Sequence, residues 1–313
     1  MPIAKSRLST VQQVNTIWDL GGLTPAQLAK RILTAINEAD LLGRASELAF
    51  NLVLAIFPML LFLLALLGIF ASRGPVLRAS LLEYFAEALP PPAFHIVSQT
   101  LTEVTSKAGG GKLTFGIVLT LWFASGGMNS MISVLNGAYR LKETRSWFRV
   151  RAIAFVLTGC IALLVMAALA VVLTGGYVTH VVGAYLGFGN IAIAGWSVLQ
   201  WPIAFAFLGL SFSLIYYFGP DVEEQHWYWI TPGSLFGVLL WLAVSFGFRA
   251  YLHFFNSYSK TYGSLGAVMI LLMWLYVTGL AFLIGGEINA QIEHAAAVRG
   301  HPEAKAPGEK KTA

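Results

Sequence analysis

Ser125, Asn129, Ser133 and Asn136 recur at intervals of four, four and three within "FASGGMNSMISVLNGAYR", so a helix would carry them as one polar stripe. In a helix surrounded by lipid, such small and amide side chains face another helix and hydrogen bond across the contact. Alternatively they line a polar cavity. Other polar residues fall at a similar depth: Glu47 and Asn51 one turn apart, Asn136 and Arg140, and Glu287 and Asn289. Together these nine residues are the candidate binding groups of a pocket opening toward the cytoplasm. Pro58 frees the carbonyl of Leu54 and Pro202 frees that of Val198, which adds acceptors within the apolar segments. Glu47 or Glu287, if buried, could carry a proton. At a span end, either could instead reach interfacial water or pair with Arg44, Arg140 or Arg145.

Hydrolytic chemistry finds less support. A metal-dependent nuclease needs histidines and carboxylates gathered around cations, whereas His95, His180, His226, His253, His294 and His301 are scattered along the chain. The run "GGGKLT" at 109–114 lacks the first glycine of a phosphate-binding loop and has Leu113 where a hydroxyl is required. No catalytic residue, metal ligand or cofactor is expected, and no enzymatic activity. Cys160, the single cysteine, reads as a small core residue and excludes an internal disulfide framework.

The elements that must position these residues are membrane helices. Of 313 residues 57% are hydrophobic and only 11% charged, against about 25% charged in soluble domains. Charge-free runs cover 48–72, 113–139 and 261–286, each long enough for one crossing. A further 69 residues, 152–220, hold two crossings joined by the glycine-rich "TGGYVTHVVGAYLGFGN". Another run, 225–248, supplies one more. Six spans are expected near 48–71, 113–138, 152–174, 191–218, 228–252 and 264–290. With both termini cytoplasmic, 14 of the 20 Lys and Arg lie inside, including the cluster Arg140, Lys142, Arg145, Arg149 and Arg151. The acidic "GPDVEEQHW" is the exception among the inside loops.

Residues 1–46 form a cytoplasmic segment. Within it "TPAQLAKRILTAINEADLL" opens with a capping box, Thr24 with Gln27, and Pro25 at the first helical position. Leu28, Ile32, Ala35, Ala39 and Leu42 share one face, so this helix lies on the membrane surface or packs on the inner end of the bundle. The membrane domain, 47–293, includes an external helical hairpin at 74–107, broken at "PPP". Residues 294–313 read as a disordered basic tail. The fold class is all-α: a polytopic membrane protein with six transmembrane helices, amphipathic interfacial helices and that hairpin.

Four stretches carry a resemblance: "SELAFNLVLAIFPMLLFLLALLGIF", "LNGAYRLKETRSWFRVR", "PGSLFGVLLWLAVSFGFRAYL" and "YGSLGAVMILLMWLYVTGLAFLIGGEINAQIE". They resemble the YihY/BrkB family of bacterial inner-membrane proteins over most of residues 25–293. The last is the most specific, with Tyr262-Gly263-Ser264, Trp274-Leu275-Tyr276 and Gly286-Glu287-Ile288-Asn289. One departure is Glu223-Glu224, where the family pattern leads one to expect basic residues. The resemblance implies six crossings with cytoplasmic ends in a bacterial inner membrane. It also brings two labels, a transfer-RNA-processing ribonuclease (ribonuclease BN) and a transporter of lipids or their phosphodiester headgroups.

Two functions follow as expectations. A transporter would pass an amphipathic, anionic molecule along the polar faces, with the basic cluster drawing phosphate headgroups. A scaffold would use the same stripe to join helices, its basic cluster touching anionic lipid at about 1 kcal/mol per residue. The partners expected are membrane lipids and their anionic headgroups at the cytoplasmic face, and no nucleic acid. Pro58 and Pro202 stand in corresponding helices if the six spans form two inverted groups of three.

Overall fold

The computed structural model describes residues 18–72, 111–186, 189–222, 231–254, 257–299 and 304–310, with Ala79, Leu82, Glu83, Ser98 and Gln99 besides. Among these residues every regular element is helical: a short 3-10 turn at Leu20–Gly22, then α1 (Pro25–Glu38), α2 (Leu41–Ser72), α3 (Gly111–Ala138), α4 (Trp147–Leu186), α5 (Gly189–Phe218), α6 (Pro232–Phe254) and α7 (Ser257–Val298). Five stretches are long and apolar enough to cross a membrane: Gly116–Ala138, Trp147–Val172, Val198–Phe218, Pro232–Tyr251 and Val268–Val298. The first expected crossing, 48–71, lies within the 32 residues of α2. It is not among those five, and several of its side chains fall outside the described set. The hairpin expected over 74–107 is also almost entirely outside the described residues.

The first helix begins where its capping box places it. The Thr24 N–H donates to Gln27 Oε1 at 3.0 Å and the Gln27 N–H to Thr24 Oγ1 at 3.3 Å, satisfying two donors that a helix start leaves open. Its apolar face does not float free. Leu28 packs against Ile288 and Ile292 of α7, with Leu20, Leu23, Ile32 and Ile284 around them. Of the two placements the periodicity allowed, these contacts belong to packing on the bundle.

Two expectations are corrected. The glycine-rich stretch 174–190 was expected to connect helices, but α4 continues through it to Leu186. Glycine in a helix costs about 1 kcal/mol, whereas unpaired backbone groups in lipid cost several each, so staying helical wins. The tail was expected to be disordered from 294, yet α7 runs to Val298 and residues 304–310 pack. Lys305 is buried, with its ammonium 3.7 Å from Glu293 Oε1.

The chain divides into two compact units. One comprises the described residues up to Leu54, Gly126–Leu157, and those from Gly209 onward; the other comprises those of Ala55–Ser125 and Thr158–Leu208. The second unit is largely apolar, with Phe62, Leu121 and Met166 among its buried side chains. The first unit holds most of the polar chemistry and is built around α7. Helix α6 approaches α7 at Gly233 and Gly237, four residues apart, facing Gly285. A Cβ on Gly285 would stand 2.7 Å from the Gly233 carbonyl oxygen and 3.1 Å from Gly237 Cα. Small residues at this spacing let two membrane helices touch backbone to backbone. On another side, the Tyr216 hydroxyl of α5 donates to the Phe282 carbonyl at 2.6 Å, and the two rings stack with centroids 5.0 Å apart.

Candidate functional site

The site begins where α3 ends. Leu141 N–H donates to the Asn136 carbonyl at 2.8 Å and Arg140 N–H to the Gly137 carbonyl at 3.1 Å, the paired bonds of a Schellman motif. Its left-handed position is usually glycine, but here it is Arg140, with φ +56°. A side chain in that region costs about 1–2 kcal/mol. The Arg140 guanidinium reaches Glu38 Oε2 on α1 at 2.9 Å, with both side chains substantially exposed.

Immediately beyond lies a polar junction within the first unit, with Asn136 and Asp221 buried and Glu143 and Thr144 at its exposed edge. Asn136 Nδ2 donates to Glu143 Oε2 at 2.8 Å, while its Oδ1 accepts from the Asp221 N–H at 2.7 Å. Arg145 grips Glu143 through Nε at 2.8 Å and Nη2 at 2.7 Å, and donates to the Gly219 carbonyl at 2.8 Å. Asp221 Oδ2 accepts from the N–H and the hydroxyl of Thr144, each at 2.9 Å, and pairs with Lys310 from the tail. Arg145 Nε lies 3.5 Å from the other carboxylate oxygen. Burial pushes the Asp221 carboxyl up, but the Lys310 ammonium, the two Thr144 donors and Arg145 outweigh it and bring it to about 2. Glu143 follows the same pattern: burial raises it, and Arg145 and Asn136 together hold it below its ordinary value. Asp221 is thus the counter-ion that explains part of the acidic loop; Glu223 and Glu224 lie outside the described residues.

Beside this junction, also within the first unit, is an open cleft of about 510 Å³. Its walls are α1 and the last turns of α7, with Arg140 between them; it carries the cations Lys30, Arg31, Arg140 and Arg299 against one carboxylate, Glu38. The Arg299 guanidinium rests against Gly22 in space that a Cβ would occupy.

The nine candidate residues divide by their surroundings. Ser125 is fully buried and its hydroxyl donates to the Trp122 carbonyl of its own helix at 2.7 Å. Asn129 is half-buried and Ser133 exposed. Eleven residues bring Asn136 back to within about 20° of Ser125, whereas Ser133 is about 80° round, which is why the stripe splits. Asn136 serves the junction. Glu47 is exposed, and the Asn51 amide donates to its backbone carbonyl at 3.0 Å. Arg140 faces the cleft. Asn289 caps the start of α6, accepting from the Gly233 N–H and donating to Thr231 Oγ1, both at 3.0 Å. Glu287 is 1% exposed. Its Oε1 accepts from Gln291 Nε2 at 2.7 Å, and its Oε2 has no hydrogen-bond partner among the described residues. Gln291 in turn lines the cleft.

Residues 32–309 match the family described as Virulence factor BrkB. The chain belongs to the BrkB family. Among curated relatives, this BrkB-family chain is 31% identical over 248 residues to the ribonuclease-like protein YfkH of Bacillus subtilis, covering 79% of this chain and 88% of that one. It is 27% identical over 264 residues to the UPF0761 membrane protein VV0203 of Vibrio vulnificus, covering 83% and 80%. With the UPF0761 membrane protein VP0125 of Vibrio parahaemolyticus it shares 29% over 284 residues, covering 87% and 85%. No solved structure gives a significant match. The apolar helices and the BrkB membership together make this an integral membrane protein.

Several residues of the BrkB-family site escape sequence reasoning. Lys30, Arg31 and Glu38 are exposed on α1 and line the cleft, a use that no spacing within the helix announces. Glu143, Thr144, Asp221 and Lys310 carry no motif spacing, and the contact between Thr144 and Lys310 alone spans 166 positions. The one available signal was the acidic Asp221 in a loop where basic residues were expected.

Proposed function

We propose that the protein is a carrier in the bacterial inner membrane for an amphipathic, anionic molecule such as a lipid with a phosphodiester headgroup. In this reading it has six crossings and both termini on the cytoplasmic side. The observation that carries it is Glu287: a carboxyl group in a membrane-spanning stretch of α7, with one oxygen bonded to Gln291 and the other left without a partner among the described residues. A buried ionisable group incompletely paired is costly, and in membrane proteins it marks a pathway or a proton relay. A static support would gain more stability from an apolar side chain at that position.

The alternative, a scaffold of the membrane, is favoured by the junction of Asn136, Glu143, Arg145 and Asp221, which ties the loop after α3 to the loop after α5. A nuclease has less support, because no three His, Cys, Asp or Glu side chains gather as a metal site among the described residues.

Flux decides between carrier and scaffold. Purified protein in vesicles holding a fluorescent phosphatidylglycerol in both leaflets should accelerate its loss to an external, impermeant quencher. Glu287→Gln should slow that exchange at least tenfold while leaving the thermal midpoint unchanged or raised. Exchange no faster than in protein-free vesicles, with the protein demonstrably folded, removes the carrier reading and leaves the scaffold.

A further inference from the structure

We infer that the cleft between α1 and the last turns of α7 is a binding site for a phosphate-type oxyanion, and that Glu38 occupies it as an internal substitute until the ligand arrives. The inference takes its ligand class from the carrier reading and rests on it for that alone; the site itself is argued from side chains.

Charge comes first. Lys30, Arg31, Arg140 and Arg299 line one concavity, with Glu38 as the only carboxylate on its walls among the described residues. Four exposed cations lining a space of about 510 Å³ repel one another and favour any anion entering it. Their types suit a tetrahedral oxyanion: guanidinium groups donate in pairs to adjacent oxygens, and an ammonium adds a movable donor. Gln27 and Thr34 supply neutral hydrogen-bonding groups on the same walls.

Positioning comes second. Arg140 occupies a left-handed helix cap at φ +56°, where glycine would sit without strain. Its side chain spans to α1 and meets Glu38, so a residue costlier than glycine at this cap places a guanidinium at the cleft. Arg299 lies close against Gly22, itself at φ +75°, in space that a side chain there would take. Two of the four cations thus stand beside left-handed backbone positions, one closing α3 and the other closing the 3-10 turn ahead of α1.

The Glu38–Arg140 pair supplies the third argument. With both partners exposed, the pair is weak, since water competes for each charge. A phosphate carries more acceptor oxygens than a carboxylate and can engage a second cation at once, so it displaces Glu38 and frees α1 from its link to Arg140. The apolar residues Leu23, Ala295 and Val298 border the same space and would accept the glycerol or first acyl carbons of a lipid. Inorganic phosphate would use the cations alone.

The test uses the full chain in phosphatidylcholine nanodiscs, titrated calorimetrically with inorganic phosphate and, separately, with water-soluble dihexanoyl phosphatidylglycerol. Saturable binding of either probe is expected, weakening as salt rises. Binding of both identifies a free-phosphate site, and binding of the diester alone identifies a lipid-headgroup site. Arg140→Gly should lower affinity at least tenfold while the thermal midpoint holds or rises, because the backbone strain is relieved. Glu38→Gln should raise affinity about threefold or more by removing the competing carboxylate. Absence of binding by either probe, or Arg140→Gly binding as the unaltered protein does, overturns the site. So does Glu38→Gln leaving affinity unchanged or lower. The two readings fail separately: lipid flux that survives Arg140→Gly leaves a carrier without this site, whereas binding without flux leaves the site on a protein that does not transport.

Discussion

Asp221 gathers bonds from three residues outside the spans, with Thr144, Arg145 and Lys310 all converging on one carboxylate. Asp221→Asn should therefore destabilise the protein by about 2 kcal/mol, toward the low end for a buried charge pair because Arg145 keeps Glu143. Thermal unfolding in detergent measures it. The pH dependence has a definite sign. The carboxyl is held at about 2 in the folded chain, below its ordinary value of 3.8, so its contribution is fully present above pH 4 and is lost as pH falls through 2. The unaltered protein should lose stability between pH 4 and pH 2 more steeply than Asp221→Asn. Equal slopes would show that the carboxylate contributes nothing. Little of this was legible beforehand, since a cationic loop and an acidic loop give no hint from composition that Arg145 of one answers Asp221 of the other.

At the scale of elements, charge-free runs and capping chemistry marked the helices well. Thr24, Gln27 and Pro25 announced α1, and the intervals between charged residues placed the cores of α3, α5, α6 and α7. Glycine misled in α4, because its meaning as a chain breaker presumes water ready to solvate a broken turn. At the crossing of α6 and α7, glycine has another use: Gly285 has the Gly233 carbonyl and Gly237 Cα so near that no Cβ fits. Gly285→Val should cost about 3 kcal/mol or abolish folding. Gly116→Ala, where a Cβ meets nothing within 4 Å, should leave stability level or slightly higher. Expression level and thermal midpoint compare the two, and similar losses at both positions would mean that α6 and α7 do not depend on close approach.

For the whole molecule, the proposed orientation makes its own prediction. In a Cys160→Ala background, Lys142→Cys, on the exposed loop between α3 and α4, should react with an impermeant maleimide only when the cytoplasmic side is accessible. Reaction in intact cells would reverse the topology. The candidate site was legible in part. Arg140, Asn136, Glu287 and Asn289 stand out in the sequence as polar residues near the ends of apolar runs, but the partners that give them different tasks come from distant segments. Periodicity orders residues around one helix and is silent about which helix stands opposite.

The return of residues 304–310 to the end of the bundle has a practical corollary. Lys310 acts as a buckle, fastening the last stretch of chain to the loops that follow α3 and α5 through Thr144 and Asp221. A version clipped ahead of this lysine would leave the Asp221 carboxylate short of a cation. Impaired behaviour of such a shortened protein would then report an unfastened loop pair rather than a missing ligand contact.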